Sequence, residues 1–340
     1  MAYTTIKKPS DYFNTKLYDG TGSVANVTGV GFQPDFTWIK RRNDTRSHFV
    51  TDVVRGAGKQ LKTNLSGAET TYSGYLNAFI SDGFTLGTDG DSNDTGGTYA
   101  SWNWLASNTT ASNTDGSITS TVSANTTSGF SIVKWTGTGA NATIGHGLGA
   151  VPKMIIAKRL SNTEDWTIYH TSLGATNKID LNNSGTSAAV SNIWNNTTPT
   201  NSLFYVGDHG RVNGSGDTYI AYCFAEVKGF SKFSSYTGAG SNLPFIYTGF
   251  KPAFIIEKRT DTTAVWGMYD NKRTNSFNPQ DGGLAPDLNV AEFTDIDIDF
   301  LSNGFKIRDA DATINASGGT YIYMAFAEEP LVGDNPATAR

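Results

Sequence analysis

Three signatures recur in the same order along this 340-residue chain, and they limit what it can fold into more than any other feature. The first is an aromatic residue followed by spaced glycines: Tyr18-Asp19-Gly20-Thr21-Gly22, Trp135-Thr136-Gly137-Thr138-Gly139 and Tyr236-Thr237-Gly238-Ala239-Gly240. The second is a proline, an apolar run and Lys-Arg: Pro34 to Arg41, Pro152 to Arg159 and Pro252 to Arg259. The third is a Thr-Tyr segment after a glycine turn, beginning at Thr98, Thr218 and Thr320. Aromatic to proline is 16, 17 and 16 residues, and proline to threonine is 64, 66 and 68. Offsets this constant mean that one structural plan is used three times.

The plan is all-β. Short apolar runs rich in β-branched and aromatic residues are broken by Gly and Asn, and no stretch sustains a helical period. In the proline segments, Phe36/Trp38, Met154/Ile156 and Phe254/Ile256 share one face of a strand. Lys40, Lys158 and Lys258 follow on that face, with stems expected on apolar surface and heads in water. A proline is expected to open each of these strands. The Thr-Tyr segments are apolar on both faces, which predicts strands interior to their sheets. Asn93, Asn213 and Asn315 stand five residues before each Thr and suggest hairpins with positions at φ > 0.

The expected architecture is three tandem β-sandwiches of jelly-roll-like topology. Residues 1–10 form an N-terminal arm; 11–107, 129–227 and 228–330 are the repeats; 331–340 is a C-terminal tail. Residues 108–128, rich in Ser, Thr and Asn, read as a flexible linker, although Ile118 and Val122 leave room for an edge strand. The second joint, Phe224 to Phe230, leaves almost no linker, so repeats two and three should touch. Three such units can also close into a pseudo-threefold body that mimics a trimer, with the two terminal arms docked on neighbours.

Composition removes several function classes. Charged residues are 17% of the chain, the net charge is −5 and no basic run exists, which argues against a nucleic-acid partner. The single cysteine, Cys223, makes neither an internal disulfide nor a thiolate metal site and reads as a small buried side chain. No apolar stretch approaches the ~18 residues of a membrane span. Met1 to Lys8 has no apolar leader core, so a cleaved secretion signal is not expected.

Candidate sites are few. Asp295, Asp297 and Asp299 alternate with Ile296, Ile298 and Phe300, so the carboxylates share one face, either solvated or holding a cation or sugar. Asp89, Asp91 and Asp94 form a denser oxygen cluster that suits calcium or, equally, plain turn chemistry; the other repeats offer only Asp208, Asp217, Asp309 and Asp311. His48, His146, His170 and His209 make no metal-ligand spacing, and His170 aligns with Asp52 and Asp270. Trp166 and Trp266 align with His48 and are either core or sugar-stacking platforms. No serine or thiol nucleophile signature appears, and the Gly-rich stretches are turns rather than phosphate cradles. The Asn-x-Ser/Thr triplets at Asn26, Asn108 and Asn195 follow from composition. The expectation is a protein with no enzymatic activity, no cofactor, and no identified catalytic or metal residue.

Met1 to Ile6, Asp11-Tyr12-Phe13, Gly129 to Gly137, Gly145-His146-Gly147-Leu148-Gly149 and Ala325-Phe326-Ala327-Glu328 resemble segments of uncharacterised virion structural proteins of marine bacteriophages, often described as tail-fibre-like. The resemblance covers nearly the whole chain and carries no chemistry. It implies a multi-copy virion component, assembled in the host cytoplasm beside other virion proteins and presenting a surface to a host glycan or receptor. Coiled-coil heptads and shaft repeats are absent from the sequence, which favours a tip, knob or capsid decoration protein over a long fibre. A polysaccharide-degrading tail enzyme is the alternative of a different class.

Overall fold

In the computed structural model, residues 3–274 and 277–338 are described, and the chain is 43% strand and 4% helix, an all-β protein. Three main antiparallel sheets carry the matched signatures in one order. Strand Phe13–Asp19 pairs with Thr98–Trp104, which pairs with Phe36–Arg41, and Phe49–Asp52 and Lys59–Lys62 follow. The second sheet runs Phe130–Thr136, Thr218–Ala225, Pro152–Arg159, Thr167–His170, Asn177–Asp180. The third runs Ser231–Thr237, Thr320–Pro330, Phe250–Arg259, Trp266–Asp270. Register is kept as well as order: Tyr18 lies opposite Tyr99, Trp135 opposite Tyr219, and Tyr236 opposite Tyr321. The Thr-Tyr strands are interior, as their two apolar faces require.

Each main sheet lays its outer face on a smaller sheet, closing a two-layer sandwich. Strands Ala25–Thr28, Gly83–Leu86 and Leu76–Ile80 enclose Val27, Phe84 and Leu86 against Tyr99. Ala142–Gly145 and Leu203–Val206 do the same over Tyr219, and Phe245–Tyr247, Gly304–Ile307 and Ile298–Leu301 over Tyr323. Within the first repeat, the first strand pairs with the last and the second with the next-to-last long strand, as in a jelly roll. The fourth strand departs from that plan. It returns as a hairpin beside the third in the same sheet instead of crossing to the other layer.

The inner faces of the three main sheets meet. Trp104, Phe224 and Phe326 occupy equivalent positions on the Thr-Tyr strands, and their rings form a triangle with centroid separations of 6.4, 5.7 and 6.0 Å. One buried cluster runs from Phe36 and Trp38 through Met154 and Ile156 to Phe254 and Ile256. Each repeat therefore keeps an outer core of its own and shares the inner one, around a pseudo-threefold axis marked by the triangle.

Several sequence expectations change. Residues 108–128 are not a free spacer: strands Ala111–Asn113 and Ser120–Asn125 extend the second main sheet, while Ile118 bridges Ile144. Ile118 and Val122 are buried, and that apolar gain fixes the segment. Only Pro152 opens its strand; Pro34 precedes one by two residues, and Pro252 sits at a bulge inside another. The connection before each Thr-Tyr strand is a single helical turn, Gly90–Asn93, Gly210–Asn213 or Ala312–Asn315, followed by a glycine at φ +79, +77 or +75. The asparagine closes the helical turn instead of taking positive φ. Asn213, fully buried, receives the Thr138 N–H and donates to the carbonyls of Ala140 and Gly207. Asn93 and Asn315 do the same in their own repeats.

The N-terminal arm docks on the third repeat of its own chain. Ile6 enters the shared core, and the Tyr3 hydroxyl donates to the Gly249 carbonyl at 2.5 Å. The Lys7 carbonyl accepts the Asp334 N–H, so arm and tail lie side by side.

Candidate functional site

The polar residues singled out in the sequence occupy two kinds of place: the seams between repeats and the helical-turn corners. At the seams the contacts run in a cycle. The Tyr222 hydroxyl of repeat two donates to Asp52 of repeat one at 2.8 Å, and Trp102 of repeat one donates to Asp270 of repeat three at 2.9 Å. His170, at the equivalent position in repeat two, lies 3.3 Å from the Tyr323 carbonyl of repeat three. Asp52 and Asp270 are each paired with an arginine three residues on, Arg55 and Arg273, with both side chains of each pair fully buried. Burial holds His170 down at about 4 and His48 well below the ordinary range, so both are neutral at pH 7.

Trp166 and Trp266 are not sugar platforms. Both are about fully buried, and their indole N–H groups donate to the Lys62 and Asp180 carbonyls of the preceding repeat. The three lysines are corrected too. Lys40, Lys158 and Lys258 are completely buried. Lys158 donates to the Ser66 carbonyl of repeat one and Lys258 to the Ser184 carbonyl of repeat two, so a neighbouring loop covers each head. Burial lowers all three to about 8. Cys223 is buried, and desolvation pushes its thiol up.

The carboxylate clusters are engaged in structural roles. Asp89 caps the first helical turn by accepting the Asp91 N–H, Asp91 pairs with Lys62 at 3.1 Å and Asp94 with Arg41 at 2.8 Å. His209 and Asp311 cap the other two turns, Asp217 pairs with Arg159, Asp309 accepts the Asp311 N–H and Asp208 accepts from Asn192. Asp295, Asp297 and Asp299 do not share one strand: the strand begins at Ile298, so only Asp299 lies within it. Asp299 pairs with Arg308 at 2.8 Å. Burial, with Asp281 and Asp309 nearby, holds Asp297 above the usual carboxylate range. His146 accepts the Leu148 N–H inside its own turn. Among the described residues no three His, Cys, Asp or Glu side chains converge as a metal site.

What the sequence did not mark is a groove on the third repeat. Three depressions of about 130, 180 and 420 Å³ run together there. The first and second share Asn271, Lys272 and Glu328, and the first and third share Asn278. The second reaches the seam with repeat one at Asn14 and Thr15. Asn278, next to Phe277, is hydrogen-bonded at both amide atoms to the Phe300 backbone, at 2.9 Å each. The Phe277 ring is 70% exposed. The lining comes from segments far apart in the chain, so no local pattern could reveal it.

Fold and surface together define a single-chain, all-β body of three repeats around a common core, with no described helix long and apolar enough to cross a membrane. The chain belongs to the family described as Domain of unknown function (DUF7483), whose model matches residues 8–330, running through all three repeats as one unit. No curated protein matches it.

Proposed function

We propose that the chain is a non-enzymatic structural component of a tailed-bacteriophage particle, a tail-fibre or tail-tip-like part that presents a host-recognition surface. The observation that carries this reading is the Trp104–Phe224–Phe326 triangle, which gives one chain the closed threefold core of a trimeric tip. The resemblance to phage virion proteins supplies the particle. The arrangement of the ends supports it: arm and tail lie together at one end of the strands, and the three helical-turn corners lie at the other. The non-enzymatic part of the reading rests on Asp89, Asp91, Asp94 and Asp299 serving as a helix cap and ion-pair partners. Other virion proteins are the expected partners, in multiple copies, at the end that holds the termini.

A capsid decoration protein is the second reading, favoured by the same pseudo-threefold axis, which suits a three-way junction of a shell. Gold-labelled antibody on intact particles separates the two. Label at the tail end is the expected result, label over the head selects decoration, and particles without label refute the virion reading. Release of new reducing ends from host polysaccharide by the purified chain would instead establish an enzyme.

A further inference from the structure

We propose that the groove on the third repeat binds a short oligosaccharide, with the Phe277 ring as the stacking platform. The proposal rests on the host-recognition reading for its biological setting but not for its chemistry. The three contiguous depressions together fall in the roughly 300–1,000 Å³ range of ligand sites. Their lining is polar and mixed in sign, with Lys251 paired to Glu328 and Arg308 to Asp299. A nucleic acid would face Asp297, Asp299 and Glu328 instead of a basic track.

Sugar hydroxyls donate and accept at once, which matches amides, carboxylates and cations set side by side. Asn271, Lys272, Gln280 and Glu328 line the first depression together. Phe277 has the greatest exposure of the large apolar side chains described, and Asn278, Asp297, Asp299 and Arg308 line the same depression. The flat C–H face of a pyranose covers such a ring while its hydroxyls reach the neighbours. Next to this platform, Asn278 is held to the Phe300 backbone by two hydrogen bonds.

The test uses the full-length purified chain on an array of bacterial surface oligosaccharides. The expected result is saturable binding to at least one glycan, weakened tenfold or more in both Phe277→Ala and Arg308→Ala with melting temperature unchanged. Tyr72→Ala, an exposed aromatic on repeat one, should bind as wild type. Binding undiminished in both groove variants overturns the groove, as does an array on which the wild-type chain binds nothing. Because particle labelling is separate, a labelled tail with a silent array refutes only the groove. Groove-dependent glycan binding by a chain absent from particles refutes only the virion reading.

Discussion

Replacing Phe224 by alanine tests whether the three repeats share one core or merely touch. Phe224 is 1% exposed and its ring lies 4.9 Å from Phe130, 6.4 Å from Trp104 and 6.0 Å from both Phe233 and Phe326. Three of those partners, Trp104, Phe233 and Phe326, lie outside repeat two, so the walls around the site cannot collapse without moving a neighbouring sheet. A buried Phe→Ala change of this kind costs about 4 kcal/mol. The consequence for melting depends on the size of the cooperative unit. With unfolding entropy near 2.1 cal/mol/K per residue, a unit of the whole chain loses about 6 °C, whereas an independent repeat of about 100 residues loses about 19 °C. Differential scanning calorimetry of wild type and variant distinguishes these outcomes. A single transition moved by the smaller amount, with equal calorimetric and van't Hoff enthalpies, is expected. Split transitions, with one peak moved by the larger amount and two left in place, would falsify the shared core.

Asn213→Ala removes a buried side chain with three hydrogen bonds to backbone groups and should cost about 3 kcal/mol in denaturant unfolding; a change within about 0.5 kcal/mol, as at a free surface position, would contradict the clamp. Lys158, lowered to about 8 in the folded chain, makes a pH-dependent prediction. Between about 8 and 10.5 the unfolded chain binds more protons at this site, so its contribution to stability rises with pH in that window. The stability of wild type relative to Lys158→Met should accordingly increase from pH 8 to 10, by at most about 3 kcal/mol, and a flat difference would show the ammonium to be solvated. Calcium or EDTA should leave the melting temperature unchanged. A cation bound by the Asp89 to Asp94 loop at a hundredfold excess over its Kd would add about 2.7 kcal/mol, or about 4 °C for the whole chain.

The strands were legible because alternation and repeat spacing are local properties. The two apolar faces of Thr98–Trp104 and its counterparts put them inside their sheets, and that is where they lie. The heads of Lys158 and Lys258 were misplaced because their covers, the Ser66 and Ser184 carbonyls, come from another repeat. A rule for one strand places a lysine head in water; only the closed ring takes the water away. Trp166 and Trp266 illustrate the same limit, since their indole acceptors lie across the seams. The Asn93, Asn213 and Asn315 positions were recognisable from recurrence, but their task, tying a helical turn to a glycine loop 70 to 75 residues away, is tertiary. Asp89, Asp91, Asp94 and Asp299, read from the sequence as candidate cation ligands, serve as a cap and ion-pair partners. The groove promised nothing, because Thr15, Asn271, Phe277 and Arg308 are joined only by folding.

A single chain with a pseudo-threefold axis has a freedom that a true trimer lacks. In a homotrimer any side chain placed near the axis or on a flank is placed there three times. Here the axis keeps large apolar side chains in all copies, Trp104, Phe224 and Phe326, while the seam position differs, with Asp52 and Asp270 facing their arginines and His170 facing a carbonyl. Arg55 and Arg273 are tied to that difference, because a buried guanidinium needs its carboxylate and a neutral imidazole does not. The same freedom lets the third repeat alone carry Phe277 and Arg308 at the groove. Glycan binding in the groove should saturate at one site per chain, measured by isothermal titration calorimetry with an array-selected oligosaccharide. Three equivalent sites per chain would place recognition on features common to the repeats, such as the helical-turn corners, and not on the groove.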